Sequence, residues 1–349
     1  MKEKKIVLLL FLFVSCVGNE PRTVVNKGVF PISINAETKE VAEIEVICPD
    51  EIIVHNGYLI ILNNCHEKIL QVVHLDDLKN KFFINKGHGP SEFFSAYYSG
   101  QKTGDSILLV NTPAFYSWVD PGKLYNGTEM EVKKNHALYM PPQNMNVFLV
   151  NENWIFNDME GSGFLVSYDQ KGSLRYLTEF FPKSTYATEV NRGYVYYAWS
   201  RYNKNKEIVV SALRYFPYII FTDIEGQIKK VVQTRERFKE PVFPNEALLP
   251  EDGTEIFNLG IQVSDKYVYL YNPGLKAGES ELNANPIIEV YNWEGDPVAE
   301  IKLNALVGTV DYDFASGRAF GLKFSAEELK LSVAEIFIPE EFANLFKED

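Results

Sequence analysis

The chain has 349 residues, 46% hydrophobic and 23% charged, with no polar low-complexity tract, so it has ample apolar surface to bury and extended disorder is excluded. Its net charge is −13 and no Lys/Arg run occurs beyond the first five residues, so its field repels phosphate backbones and nucleic acid is excluded as a partner. Aromatic residues reach 14%, with 20 Tyr and 24 Phe, a bias that suits pleated, half-buried strands over helices.

The chain opens MKEKKIVLLLFLFVSCVGNE. Lys2, Lys4 and Lys5 precede a nine-residue apolar run, Ile6 to Val14, and then come Ser15 and Cys16. Nine helical residues span about 14 Å, roughly half a hydrocarbon core, so the run reads as a signal peptide and not as a transmembrane helix. Its ending, FVSC, resembles the lipobox of bacterial lipoproteins, in which the cysteine becomes the first mature residue and carries acyl chains; the alternative is an ordinary secretory signal with a chance cysteine. The resemblance implies a signal peptide over residues 1–15, lipidation of Cys16, a tether over 16–29 and a folded domain over 30–349. It further implies a cell-envelope address, that of an outer-membrane lipoprotein facing the periplasm or the cell surface and held to the membrane by its lipid. Cleavage before Cys16 removes three Lys and one Glu, leaving 31 basic against 46 acidic residues and a net charge of −15.

Two cysteines remain, in CPDEIIVHNGYLIILNNC. Asn56-Gly57 supplies the positive torsions of a two-residue type I′ hairpin. Pairing outward from it sets His55 opposite Tyr58, Ile52 opposite Ile61 and Cys48 opposite Cys65, a pair with Cα atoms about 4.5 Å apart and within bridging range. Pro49 lacks the N–H that its own position would use, so an early strand end is the competing outcome and leaves two unlinked thiols.

An internal period follows. VSYDQKGSLRYL (166–177), FTDIEGQIKKV (221–231) and VYNWEGDPVAEI (290–301) each set an Asx three residues before a Gly between two alternating runs. Asp169/Gly172, Asp223/Gly226 and Asn292/Gly295 hold equivalent places, where the Asx side chain caps its own backbone and the glycine turns left-handed. Looser copies are SWVDPGKLY (117–125) and VVHLDDLKNKFFI (72–84). Each such hairpin follows another, so the unit is four short antiparallel strands in about 50 residues, and a self-similar four-strand unit selects the β-propeller among closed β folds.

GHGPSEF (87–93) resembles the GxGPGEF-type segment of six-bladed β-propeller lipoproteins of the TolB-like and NHL-like kind found in Bacteroidetes-type bacteria. Gly87, Gly89, Pro90, Glu92 and Phe93 match, and Ser91 replaces the usual glycine. The resemblance implies an all-β, six-bladed propeller of four-stranded blades near 30–85, 90–140, 142–185, 188–240, 250–304 and 306–340. Residues 30–47 are then expected to close the ring against AEIFIP (334–339). In this reading GHGPSEF is a blade-junction corner, with Gly87 and Gly89 giving tight torsions and Phe93 plugging between blades. A nucleotide loop would need a Gly-Lys-Ser/Thr ending that runs into a helix. PEEFANLFKED reads as a short surface helix.

No Gly-x-Ser-x-Gly, Cys-x-x-Cys or His-Glu-x-x-His motif occurs. His55, His66, His74, His88 and His136 lack the paired spacing of metal ligands, and His88, on a loop, is the one singled out as ligand-facing. The stretch RGYVYYAWSRY offers Tyr196, Trp199 and Arg201, since rings stack on sugar faces and Arg clamps carboxylates; packing between blades is the competing role. The function expected is an envelope lipoprotein whose propeller binds a protein, peptide or glycan partner, without catalysis and without a cofactor. The alternative is a calcium-dependent propeller hydrolase or lactonase, with Asp105, Asp158, Asp265 and Asp311 near the axis.

Overall fold

The computed structural model describes residues 23–25, 29–43, 51–111, 115–128, 132–136, 146–158, 164–169, 171–178, 182–325 and 330–347. Cys16 and Cys48 lie outside them. Thr23–Val25 (β1) and Ile32–Glu43 (β2) precede a first sheet of Glu51–His55 (β3), Tyr58–Leu62 (β4), Lys68–His74 (β5) and Asn80–Asn85 (β6). The second sheet holds Ala96–Thr103 (β7), Ser106–Asn111 (β8), Phe115–Val119 (β9) and, after helix α1 (Pro121–Tyr125), Asn135–His136 (β10). The third runs Val147–Val150 (β11), Asn153–Asn157 (β12), Leu165–Tyr168 (β13) and Leu174–Thr178 (β14). Helix α2 (Arg192–Val195) leads into Ala198–Asn203 (β15), Ile208–Leu213 (β16), Tyr218–Asp223 (β17) and Ile228–Gln233 (β18). Next come Glu255–Ile256 (β19), Gly260–Val263 (β20), Tyr267–Asn272 (β21), Leu275–Lys276 (β22), Ile287–Asn292 (β23) and Pro297–Leu303 (β24), with β19 and β22 pairing apart from the main sheet. Val310–Asp313 (β25), Arg318–Ser325 (β26) and Lys330–Phe337 (β27) complete the strands.

The architecture is a β-propeller of four-stranded antiparallel sheets. First strands gather at the axis: β3 lies beside β7 and β25, β7 beside β11 and β15, and β20 beside β15 and β25. Strands are apolar on both parities because each sheet is covered on both faces. The core clusters accordingly join consecutive sheets, as when Phe93, Tyr98 and Ile107 meet Ile53, Ile60 and Val72. The circuit closes where Phe320, Leu322 and Val333 of the last sheet meet Ile52, Leu59 and Ile61 of the first. Each such side chain contributes about 1.5–3 kcal/mol on burial, so the closing contact weighs as much as any other.

The chain's start locks the ring. The C-terminal half of β2 pairs antiparallel with β27, from Glu37 opposite Phe337 to Glu43 opposite Ser332, as expected for closure. Its N-terminal half does something the sequence did not announce and pairs parallel with β24, Ile32 opposite Ala299 through Ala36 opposite Leu303. β1, in the stretch read as tether, likewise adds a parallel edge to β18. Short β-branched runs flanked by polar residues suit either role, and only an open sheet edge nearby decides between them.

The turns follow their chemistry. In the repeat, Oδ1 of Asp223 accepts the N–H groups of Glu225 (3.0 Å) and Gln227 (2.8 Å), and Gly226 sits at φ 88°. Asp169 and Asn292 cap in the same way, with Gly172 at φ 78° and Gly295 at φ 86°. Asn56 (φ 50°) and Gly57 (φ 79°) form the expected hairpin, with His55 opposite Tyr58 and Ile52 opposite Ile61. Asp120, in the looser copy, instead N-caps α1 through Lys123 N–H (2.9 Å), because Pro121 at the first helical position presets the helix.

One expectation is corrected. Gly87 and Gly89 are not left-handed; a side chain there would instead meet the Glu92 carboxylate, at 2.1 and 2.9 Å, and that carboxylate accepts Gly89 N–H at 2.9 Å. Phe93 is fully buried between the first two sheets, so the segment is a corner set by steric fit more than by torsion. The C-terminal segment is a short helix as expected, a 3₁₀ turn over Glu340–Leu345 with Glu340, Glu341 and Asn344 exposed, and its end seats Leu345 and Phe346 in the core, where Phe346 stacks on Tyr269 and Tyr312.

Candidate functional site

Within each sheet the first strand points the same way, and at their C-terminal ends β3, β7, β15, β20 and β25 leave a cavity of about 570 Å³ on the axis. β3 brings His55, and the hairpin after it brings Asn56. β7 brings Tyr98, Gly100 and Lys102, β15 brings Arg201, Tyr202 and Asn203, and Lys204 and Asn205 follow in its hairpin. Gln262 and Asp265 come from the fifth sheet, and Tyr312, Asp313 and Phe314 from the last. The lining therefore mixes aromatic faces, amides and both signs of charge.

Lys102, Asp265, Asp313 and His55 are held by fixed partners. Lys102 Nζ bonds to both carboxylate oxygens of Asp311 (2.9 and 3.1 Å) and to the Val54 carbonyl (2.8 Å), while Asp311 also accepts Val54 N–H (2.7 Å). Asp311 is 1% exposed, so this ion pair bolts the second sheet to the last across the first. Asp265 accepts from Asn203 (3.1 Å) and Asn205 (2.7 Å), and Asp313 from Gly57 N–H (3.2 Å) and Ser316 (2.7 Å). His55 Nε2 meets the Gly104 carbonyl at 2.9 Å, and burial, helped by the nearby Lys102 charge, pulls its pKa below 6.5, so the ring is neutral at pH 7.

Arg201 sits at the centre, 5% exposed. Nε donates to Gln262 Oε1 (3.1 Å), and Nη1 to the Ser200 carbonyl (2.9 Å) and Asn146 Oδ1 (3.4 Å), while the guanidinium lies 5.6 Å over the Tyr98 ring. Four sheets thus meet on one side chain. Gly100 makes the room: at φ 85° within a register break of β7, its position would put a Cβ 2.9 Å from Arg201 Nη1.

Of the four residues singled out as ligand-facing, His88, Tyr196, Trp199 and Arg201, only Arg201 lines this cavity, and of the four aspartates of the calcium alternative only Asp265 does. Tyr196 is buried in the core between the third and fourth sheets, its hydroxyl donating to the Pro182 carbonyl (2.5 Å), and burial pushes its pKa up to about 12. Trp199 packs between the fourth and fifth sheets, edge-on to Tyr197, and its indole N–H has no hydrogen-bond partner among the described residues. His88 is exposed and stacks on Phe94 at 5.0 Å, away from the axis. His66 stacks on Phe82, His74 pairs with Asp77, and His136 meets Phe115 edge-on. Asp105 accepts from Asn56 (2.8 Å), and Asp158 follows β12, so the four aspartates are not gathered at one point. Among the described residues no group of three or more His, Cys, Asp or Glu could hold a metal ion. Cys65 is disulfide-bonded.

The cavity residues that sequence reading missed, such as Gln262, Asn203 and Tyr312, come from strand ends with no shared motif. Their one signal is polar residues at the ends of otherwise apolar first strands.

No protein-family model and no curated protein matches the sequence. The fold is similar to that of a DUF4221 family member from Bacteroides vulgatus, with TM-score 0.53 and 15% identity over 87% of this chain and 99% of that one. It is also similar to a Bacteroides fragilis protein described as exported, with TM-score 0.50 and 11% identity over 91% and 100% of the two chains. At such identity the likeness is one of fold.

Proposed function

We propose that this protein is a cell-envelope lipoprotein, acylated at Cys16, whose six-bladed propeller binds a protein, peptide or glycan partner in the axial cavity. The six four-stranded units, the last completed by β2, support the blade count. We propose Cys48 as the partner of Cys65, because the observed register, which ends at Glu51 opposite Leu62, would set the two opposite each other if extended by three pairs. The observation that carries the binding role is the cavity itself. Rings of Tyr202 and Phe314 and amides of Asn56, Asn205 and Gln262 line it, while Lys102, Arg201, Asp265 and Asp313 are tied into the scaffold and Lys204 stands exposed at its edge. Such a lining suits recognition by stacking and hydrogen bonding more than proton transfer.

The test screens the purified soluble domain against glycan and peptide arrays and measures each hit by calorimetry against Asn205→Trp, which fills the exposed cavity mouth. A loss of affinity of about tenfold or more, equal to about 1.4 kcal/mol, with an unchanged melting point is expected. Hits that bind the variant equally well would remove the cavity from the function. Stoichiometric calcium in the purified protein, with a calcium-dependent rise in melting point, would favour the hydrolase or lactonase reading instead.

A further inference from the structure

We propose that the ligand of the axial cavity is a neutral saccharide, whose hydroxyls donate to Asp313 Oδ1 and accept from Gln262 Nε2. The inference rests on the binding role of that cavity and deepens it by naming the class of ligand. Both side chains line the cavity and are more than nine-tenths buried, Gln262 at 7% and Asp313 at 4% exposed. Each gives one terminal atom to the scaffold and keeps the other. Arg201 Nε, which can only donate, bonds Gln262 Oε1 at 3.1 Å and so fixes which way the amide lies, and Gln262 Nε2 has no hydrogen-bond partner among the described residues. Asp313 Oδ2 takes the Gly57 N–H (3.2 Å) and the Ser316 hydroxyl (2.7 Å), while Asp313 Oδ1 has no such partner among the described residues. Neither atom is closed off from solvent, and the cavity is the space that both residues line. His55 adds an acceptor: its Nε2 donates to the Gly104 carbonyl (2.9 Å), so the neutral ring carries a bare Nδ1.

The unpartnered atoms are of both kinds. A ligand that displaces water from them gains affinity only where it replaces each bond, so it must both donate to Asp313 and accept from Gln262. A hydroxyl does both, and a saccharide carries several on one compact frame. An ammonium offers donors alone and a carboxylate acceptors alone, so each would leave one of the two buried atoms unmatched. Charge agrees. Lys102, Arg201 and Lys204 on the lining are matched by Asp265, Asp313 and the Asp311 that pairs with Lys102, and His55 is neutral, so the lining carries no net charge to select an ionic ligand. β20 lies beside β25, so Gln262 and Asp313 are neighbours around the axis and one compact ligand reaches both. A peptide backbone also brings both kinds of group, but strings them along an extended chain, where a sugar sets them around one ring. The half-buried rings of Tyr202 and Phe314 line the same space and offer apolar faces to the C–H side of a sugar. At about 570 Å³ the cavity lies within the range of small-molecule sites, about 300–1,000 Å³, and takes a short saccharide rather than a folded partner.

The experiment screens the full-length protein, held in a detergent without sugar head groups, on arrays of neutral, amino-sugar and uronic-acid oligosaccharides and of peptides, and measures each hit by calorimetry. Gln262→Glu and Asp313→Asn keep the side-chain shapes and can keep the bonds to Arg201, Gly57 and Ser316, but turn the free donor into an acceptor and the free acceptor into a donor. Neutral oligosaccharides are expected as the hits, with affinity at least about tenfold lower in each variant at a melting point that does not fall. In the unaltered protein at least one monodeoxy form of the hit should lose about tenfold as well, a readout that needs no variant to fold. Neutral hits that bind both variants and every monodeoxy form as tightly as the parent, or hits confined to peptides or charged sugars, would overturn the inference; where Asn205→Trp abolishes those hits, the cavity keeps its binding role. Hits that bind Asn205→Trp unchanged, or no hit on any array, would overturn both.

Discussion

Gly226 offers the sharpest test of the repeat. It sits at φ 88°, where any side chain costs about 1–2 kcal/mol. A Cβ there would lie 2.3 Å from the Leu177 carbonyl oxygen and 2.7 Å from Leu177 Cα and C, backbone atoms of the neighbouring blade that no rotamer change can clear. Relieving that overlap means moving β14 away from the fourth sheet, an overpacking cost of about 1–3 kcal/mol beyond the torsion. Gly57 is the control, with φ 79° and nothing within 4 Å of the same construction. Gly226→Ala is therefore expected to destabilise by about 2–5 kcal/mol and Gly57→Ala by about 1–2 kcal/mol. Denaturant midpoints of both variants, at equal m-values, read the difference directly. Equal losses would mean that the blades do not touch at this turn, and the stacking of neighbouring repeats would have to be redrawn.

Lys102→Met leaves the Asp311 carboxylate buried without its cation and is expected to cost about 3–5 kcal/mol, with much of the loss recovered in Lys102→Met/Asp311→Leu; denaturation curves check both. His55 has a folded pKa below the 6.5 of the free side chain, so on acidification the unfolded chain takes up the proton first and stability falls as pH drops through 6.5 toward the folded value. His55→Gln should flatten that slope in melting points measured from pH 8 to 5; an unchanged slope would place the titration elsewhere. Mass spectrometry without reductant should find the peptides of Cys48 and Cys65 joined, and free Cys48 would break the register drawn outward from Asn56-Gly57.

Local chemistry was legible wherever neighbours in sequence are neighbours in space. Asp223 and Gly226 close their turn within four residues, and Asn56-Gly57 fixes a register that runs unbroken to Glu51 and Leu62. Gly87 and Gly89 show the limit: their place in a corner was readable, but the reason was the Glu92 carboxylate above them and not their torsions. Arg201 was readable as a reactive type in an aromatic stretch, whereas its partners Gln262 and Tyr98, about 60 residues ahead and 100 behind in the chain, were not.

The sequence by itself determined that the chain is all-β, that it repeats in four-strand units, and where its Asx-x-x-Gly and Asn-Gly turns fall, because hydrophobic alternation and turn torsions are local properties. Only the tertiary structure decided which residues share the axial cavity and that β1 and half of β2 run parallel along the edges of two sheets. Those depend on how the ring closes. Closure brings together strand ends that lie far apart in the chain, and an edge strand takes its direction from the sheet it meets and not from its own three to five residues.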